Sequence, residues 1–484
     1  MKYKGYGYIN TIGCQMNVYD SEKLTMILNS IGYGQTNDVD KADIVICNTC
    51  SIRHKAEEKA FSFLGRFDKI KKRNPDMILV MSGCVAQQEG KKVFKRIPHL
   101  DIVLGTQAFS RFGQHINAVK SGKNKIVDID SSKTIFEIMP DVSEIDTCKS
   151  DDMPAPAPSS DTPISIIPGK QKLGLKENKI SRFVTIMQGC ENFCTYCVVP
   201  YVRGKEISRK PDSIIKEIVR LAKSGVKEVN LLGQNVNSYG QKDGEISFAK
   251  LLEQINQING IKRIRFATSH PKDLSMDLIC AIRDLDKVCN HLHLPVQSGS
   301  NTILKKMNRG YSRQTYIKRI ADLRQHCPDI GISTDIIVGF PYETIDDFND
   351  TMALLHEIRF DSIFAFAYSD RHLAPAAKFS HQHKIDEKEK LVRLNKLLEL
   401  QEHYIKEKHK KLIGKTFEIL VQGKSEKKHN GFKKNGKNME QMTGRTSCNK
   451  IVHFPSEHAK IGDLIKIKIK NAYPHSLWGY PAGV

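Results

Sequence analysis

The stretch "GCENFCTYCVVPYVRGKEISR", residues 189–209, decides how the rest of the chain is read. Cys190, Cys194 and Cys197 fall within eight residues of one another. Thiolates at this density select zinc or an iron–sulfur cluster. A closed zinc site needs a fourth ligand, usually from a second Cys pair or a His pair. The residues that follow Cys197 read VVPYVRG and offer none. Three thiols on one short loop instead suit three corners of a 4Fe-4S cubane, with the fourth iron left open to a small molecule. The bland alternative is a structural zinc loop.

Working outward, the loop follows the first of six strand-like runs. These are RFVTIMQGC, EVNLLGQN, RIRFATSH, HLHLPVQS, ISTDIIVGF and SIFAFAYS, separated by amphipathic helical stretches. Six βα units predict a barrel, or an open part of one, whose site lies at the strand C-termini. A charged helical stretch, EKEKLVRLNKLLELQEHYIKEKHKK, follows. Residues 1–130 alternate differently. YGYINTIGC, DIVICNTC, MILVMSGC and DIVLG read as strands, and SEKLTMILNSIG, HKAEEKAFSFLGRFDKIKKR and GKKVFKRI as helices. Continuous apolar runs between helices predict a doubly wound parallel sheet, an α/β domain covered on both faces. Residues 131–179, with DDMPAPAPSSDTP at their centre, have neither period and read as a linker or insertion that contains Cys148. From residue 412 to 484 the pattern becomes all-β, and in DLIKIKIKNA isoleucine alternates with lysine. The expected divisions are therefore 1–130, 131–179, 180–411 and 412–484.

The 484 residues carry 75 Lys and Arg against 54 Asp and Glu, a net charge of +21. Such a field attracts polyanions, nucleic acid first among them, although a merely solvated Lys-rich surface has the same composition. The small basic C-terminal β-domain suits RNA or single strands for the same reason. No run approaches the ~20 apolar residues of a membrane span. The N-terminus lacks a signal-peptide pattern. A cytoplasmic protein is expected, and a monomer is the default. In that setting most of the 12 cysteines are metal ligands or small buried hydrophobes rather than disulfides.

A second trio, Cys14, Cys50 and Cys84, is dispersed, yet each residue ends an expected strand. Ligands gather at that edge of an open parallel sheet. On spacing alone the three could hold a second cluster or be three buried thiols. Cys47, inside its strand, is assigned to the core.

The spacing Cys-x3-Cys-x2-Cys, with Tyr196 before the last cysteine, resembles the signature of radical S-adenosylmethionine (SAM) enzymes. Beyond it, "GCQMNVYDSE", "NTCSIRHKAE" and "GCVAQ" resemble the N-terminal cluster domain of the methylthiotransferases. The C-terminal region resembles their TRAM RNA-binding module. "LLGQNVNSYG", "RFATSHP", "HLPVQSGS" and "MNRGYSR" look most like the tRNA branch, the MiaB family. The resemblance covers the whole chain apart from the linker. It implies a radical SAM methylthiotransferase with two 4Fe-4S clusters. Such enzymes place a methylthio group on C2 of an N6-isopentenyladenosine beside the tRNA anticodon. It implies that Cys190, Cys194 and Cys197 hold the SAM-binding cluster. Cys14, Cys50 and Cys84 would hold an auxiliary cluster that carries the sulfur. One SAM would methylate that sulfur, and a second would yield the radical that removes the C2 hydrogen. An electron donor of flavodoxin or ferredoxin type and a sulfur or cluster donor are implied as partners, alongside tRNA and SAM. Related chemistry on threonylcarbamoyladenosine in tRNA, or on an aspartate of a ribosomal protein, is the alternative. A zinc-bearing RNA-binding protein is the non-catalytic one.

Aromatic C2–H has no acidity that a general base could use near neutral pH, which agrees with a radical route. Both clusters would have to face one cavity, so the two strand-end edges are expected to meet. Gly233 and Gln234, with Ser269, Gln297, Asp335 and Gly339, end or nearly end later strands and are candidate SAM contacts, as is Tyr196; each could equally be a turn residue. Arg203 and Arg209 are candidates for cluster charge balance, RNA phosphate or surface ion pairs. His293 is expected to be a hydrogen-bonded core histidine. One departure stands out: where the family commonly has a YSPRPGTPA-like stretch, residues 368–377 read YSDRHLAPAA.

Overall fold

A computed structural model describes residues 3–51, 54–130, 135, 180–379, 381–425, 433–434, 437–438 and 440–482. Apart from Ile135, the expected linker 131–179 with Cys148 lies outside the described residues.

The N-terminal domain runs β1 (Gly5–Ile12), α1 (Gln15–Ser30), β2 (Tyr33–Gln35), β3 (Ile44–Thr49), α2 (His54–Gly65), α3 (Asp68–Arg73), β4 (Ile78–Gly83), α4 (Cys84–Glu89), α5 (Val93–Arg96), β5 (Ile102–Leu104), α6 (Phe112–Lys120) and β6 (Ile126–Asp128). All its strands are parallel, in the order β2-β1-β3-β4-β5-β6. Every residue of β3 and β4 is buried. Alternate residues feed two separate cores. Ile44, Ile46, Ile78 and Val80 meet Leu24 and Leu28 of α1 and Phe112 of α6. Val45, Cys47, Leu79 and Met81 meet Phe61 and Leu64 of α2. Cys47 is therefore a core residue, and burial pushes its thiol up to about 12.

Three details differ from the sequence reading. The long helix expected from residue 54 is two helices, because Phe67 turns inward at 3% exposure and packs edge-on against Phe63. Residues 90–96 form a 3-10 turn and a single helical turn rather than one helix. The edge strands β2 and β6, three residues each, were too short to carry a periodic signal.

The core domain continues with β7 (Ser181–Thr185), β8 (Met187–Gln188), α7 (Val199–Arg203), β9 (Ile207–Ser208), α8 (Pro211–Lys223), β10 (Glu228–Leu232), α9 (Phe248–Asn256), β11 (Arg263–Phe266), α10 (Met276–Asp284), β12 (His291–His293), α11 (Asn301–Lys306), α12 (Arg313–His326), β13 (Gly331–Val338), α13 (Ile345–Ile358), β14 (Ser362–Ala367) and α14 (Glu387–Lys410). Six parallel strands form two sheets, β11-β10-β7 and β12-β13-β14, joined by one bridge between Ile264 and Val288. This is the expected partial (β/α)6 barrel. α8 shows why the helices dock: Pro211 pre-sets its first turn, and Ile214, Ile218 and Leu221 recur at helical spacing on its buried face.

The C-terminal domain comprises β15 (Thr416–Lys424), β16 (Lys433–Lys434), β17 (Lys437–Asn438), β18 (Gln441–Thr446), β19 (Ile451–Pro455), β20 (Leu464–Ala472) and β21 (Leu477–Pro481). Five of these close into a barrel, β15-β18-β19-β21-β20. In β20 Ile467 and Ile469 point inward, while Lys466, Lys468 and Lys470 are exposed. This barrel caps the N-terminal end of the core strands. Arg265 donates to the carbonyls of Thr446 (2.8 Å) and Ser447 (3.1 Å), and Lys450 pairs with Asp361 at 2.9 Å. No helix among the described residues is long and apolar enough to cross a membrane.

Candidate active site

The two cysteine trios are built differently. The core loop leaves β7 and is framed by the β8–β9 hairpin, in which Met187 pairs with Ser208 and Gln188 with Ile207. Gly189 sits at φ +83°, and a Cβ there would fall 1.8 Å from the Lys205 carbonyl, so no other residue fits. The loop is tied to residues 306–309. Thr195 N–H donates to Met307 O at 3.1 Å, and Asn308 Nδ2 donates to Phe193 O at 3.1 Å. Arg309, buried at 4% exposure, donates to Cys194 Sγ (3.3 Å), to the Tyr196 hydroxyl (3.1 Å) and to Pro295 O (2.7 Å). Asn192 Nδ2 donates to Cys190 Sγ at 3.4 Å, and Val199 N–H to Cys197 Sγ at 3.5 Å.

Cys14, Cys50 and Cys84 meet at the C-terminal edge of the first sheet. Cys14 caps α1, and its N–H donates to Asn17 Oδ1 at 3.2 Å. Asn17 donates onward to Asn48 Oδ1 at 3.1 Å, which locks the first turn of α1 to the end of β3. Cys50 N–H donates to Ile12 O at 3.0 Å. Cys84 opens α4, a helix the sequence reading had not separated from strand and loop. Gly13 lies close under Cys50: an added Cβ would sit 2.9 Å from the Cys50 Cβ.

The two edges face each other, as expected. Cys84 packs with Val198, with Val202 of α7 and with Ala374. Met16 and Tyr19 of α1 pack on Leu232 at the end of β10. Thr106 Oγ1 donates to Val202 O (2.7 Å) and Gln107 Nε2 to Arg203 O (2.8 Å). Arg203 pairs with Asp20 at 2.7 Å, both nearly inaccessible. Arg209 pairs with Glu217 at 2.7 Å, also buried. Neither arginine is a surface ion pair or open to an RNA phosphate, which corrects two of the three readings offered for them. Residues 368–377 lie between the trios. Ala376 N–H donates to Thr195 O at 2.8 Å, and the Arg371 guanidinium feels Glu57 and Cys50.

The electrostatics suit thiolates bound to a cation. Burial and the neighbouring Cys194 raise the Cys197 thiol to about 12, and burial raises Cys190 and Cys84. A hydrogen bond from Cys50, opposed by burial and aided by Arg203, brings Cys14 down to about 6. Among the described residues, no three His, Cys, Asp or Glu side chains converge as ligands of a single ion. Each trio consists of thiols alone, the donor type that iron–sulfur clusters take.

The candidate SAM residues divide. Ser269 is buried with no partner for its hydroxyl, as a ligand contact would require. Tyr196 is held by Arg309, and Gln297 sits at φ +75° with its N–H on Asp335 O at 2.9 Å. Asp335 faces His293 Nε2 at 3.5 Å, and that histidine, bonded to Ser333 at 2.9 Å, is half-buried on the barrel's inner side rather than in the core. Gln234 Oε1 is already taken by Gly189 N–H at 2.6 Å, so Gln234 shapes the cysteine loop. Gly233 is small because a Cβ would strike Met187 at 2.4 Å. Gly339 is explained by packing: a Cβ would meet Lys390 at 2.3 Å, and its N–H is held by Glu343 at 2.6 Å. The sequence reading missed Glu206 and Asn237 and singled out His270 only as a tempting metal ligand; Glu206 Oε1, both amide atoms of Asn237 and His270 Nε2 are buried with no partner. Burial and nearby Arg309 bring His270 down to about 2, so it stays neutral. It also missed Arg309, although it had quoted MNRGYSR. Buried polar atoms without a partner mark places where a polar ligand can be received.

Family models match residues 7–105 (Uncharacterized protein family UPF0004), 184–355 (Radical SAM superfamily) and 410–480 (TRAM domain). A protein of Desulfosudis oleivorans named tRNA-2-methylthio-N(6)-dimethylallyladenosine synthase is 46% identical, covering 99% of this chain and 97% of its own. Proteins of the same name from Syntrophus aciditrophicus and Clostridium novyi are 45% and 44% identical, each covering 98% of this chain and 94% and 95% of their own. Among solved structures, the radical SAM methyltransferase TsrM of Kitasatospora setae, with cobalamin and a 4Fe-4S cluster bound, has a TM-score of 0.52 at 13% identity over 77% of both chains. That likeness speaks for the fold alone.

Proposed function

The chain belongs to the family of tRNA-2-methylthio-N(6)-dimethylallyladenosine synthases, and from that premise we propose how its residues divide the work of placing a methylthio group on C2 of N6-isopentenyladenosine, 3′ of the tRNA anticodon. When bound, SAM and the two 4Fe-4S clusters supply the methyl group, the sulfur and the hydrogen-abstracting radical. Cys190, Cys194 and Cys197 hold the SAM-binding cluster, and Cys14, Cys50 and Cys84 the auxiliary one. Arg309 orients Cys194 and Tyr196 through two bonds of 3.3 and 3.1 Å. Gly189 and Gln234 fix the loop's entry. Ser269, Glu206, Asn237 and neutral His270 offer polar atoms to SAM. Val198, Val202 and Ala374 close the space around Cys84 to water. The exposed lysines of β20 meet RNA phosphate. A flavodoxin- or ferredoxin-like reductant, a sulfur or cluster donor, a monomeric state and a cytoplasmic setting complete the reading.

The observation that carries it is the packing of Cys84 against the helix that directly follows Cys197. That packing supports the reading that the dispersed trio and the loop trio serve one reaction. The test is anaerobic reaction with anticodon stem-loops bearing isopentenyladenosine, threonylcarbamoyladenosine or plain adenosine, followed by nucleoside mass spectrometry. Methylthiolation confined to the isopentenyl substrate supports the reading. A product from the threonylcarbamoyl substrate alone, or from a ribosomal protein alone, overturns it.

A further inference from the structure

The N-terminal thiol site is not completed by its own domain. The cation that faces Cys14 and Cys84 is Arg203, six positions after Cys197 on the core-domain helix α7. Its side chain is 4% exposed and is fixed by Asp20 of α1, itself 6% exposed, at 2.7 Å. The helix cannot drift, because Thr106 and Gln107 of the N-terminal domain hold the carbonyls of Val202 and Arg203. Val202 packs on Cys84 from the same side. A buried ion pair is a poor device for stability alone, since well-packed apolar residues do as well or better. Its value here is charge: at this depth a guanidinium acts strongly on nearby sulfur. The potential of an iron–sulfur cluster responds to local charge and to hydrogen bonds on its sulfurs.

Resting on the reading that Cys14, Cys50 and Cys84 hold a cluster, we propose that Arg203 is a positioning residue of that site, supplied across the domain boundary, and that the Arg203–Asp20 pair sets its reduction potential. Arg203 stabilises the more negative, reduced state of the site and any anionic sulfur it carries. Asp20 offsets part of that charge.

The test uses full-length protein, reconstituted anaerobically in a Cys190→Ala/Cys194→Ala/Cys197→Ala background so that the N-terminal cluster alone is titrated by electron paramagnetic resonance. Asp20→Asn is expected to raise the midpoint potential, and Arg203→Gln to lower it. The double variant should return close to the parent, and Arg203→Lys should stay near it. Plain loosening of the interface would move both single variants in the same direction, and that result overturns the proposal. So does an unmoved potential at equal iron content. If Arg203→Gln loads no cluster, the sign of the Asp20→Asn shift decides. Iron-free protein in the triple-Cys background would overturn the cluster reading itself and this proposal with it. Iron present with unmoved potentials overturns the proposal alone.

Discussion

The core trio and the N-terminal trio solve one problem in two ways. The first is written into eight consecutive residues and is held by its own domain, through Arg309 and Gln234. The second is assembled from three strand ends and is completed from outside, through Arg203 and the apolar cover of Val198, Val202 and Ala374. A ligand set on one loop is fixed once that loop closes. A ligand set spread over a sheet edge is fixed only when the sheet, its helices and the neighbouring domain are all in place. The difference predicts that the core site will tolerate damage to the domain interface and that the N-terminal site will not.

The strongest way to break this comparison is to remove one thiol from each set. Cys194→Ala should abolish SAM cleavage, measured as 5′-deoxyadenosine, whereas Cys50→Ala should leave cleavage largely intact and stop sulfur insertion. Equal loss of cleavage in both variants would contradict the division. Next comes the backbone. Gly189→Ala meets the Lys205 carbonyl at 1.8 Å in a φ +83° conformation and should cost the core site its iron, with the N-terminal iron retained. Gly83→Ala, at φ +90° and 2.6 Å from Thr49 O, should do the reverse. Strain of this kind costs on the order of 1–3 kcal/mol before any clash is counted. Iron stoichiometry and Mössbauer spectra of the two variants report which set is lost.

A smaller lever is Asp361, which ties the C-terminal barrel to the core. Burial opposes its ionisation, but Lys450 and Lys408 outweigh it and hold the carboxyl at about 2. A depressed carboxyl contributes stability that is complete above its ordinary 3.8 and is lost as pH falls toward about 2. Asp361→Asn should therefore lower thermal stability near neutral pH by about 1–3 kcal/mol, from the half-buried lysines left unpaired. The difference from wild type should vanish at the acid end, and both trios should keep their iron. The gentlest change leaves the clusters alone as well. Replacing Lys466, Lys468 and Lys470 with Gln should lower tRNA affinity and reduce the salt slope by roughly 2–3. Filter binding at several salt concentrations checks this, with SAM cleavage unchanged.

How much could be read beforehand follows the same division. Cys190, Cys194 and Cys197 were legible from spacing, and the all-parallel first sheet from its continuous apolar runs. Cys14, Cys50 and Cys84 were legible only as strand ends, and without the resemblance they stayed ambiguous. Arg203 could not be ranked, because its partner Asp20 is 183 residues away. Arg309, Asn237 and Glu206 gave no local signal, since a buried polar side chain looks in sequence like any surface one. At Gly233 and Gly339 an added Cβ would meet Met187 and Lys390, long-range neighbours that no local pattern announces. His293 misled because a three-residue strand of alternating His and Leu does not say which face is inside.

The short helix from Val199 to Arg203 has one more consequence. Registry between the halves is set by this peg and its socket of Thr106, Gln107 and Asp20. The two halves, produced together as separate fragments, should therefore still find the same alignment.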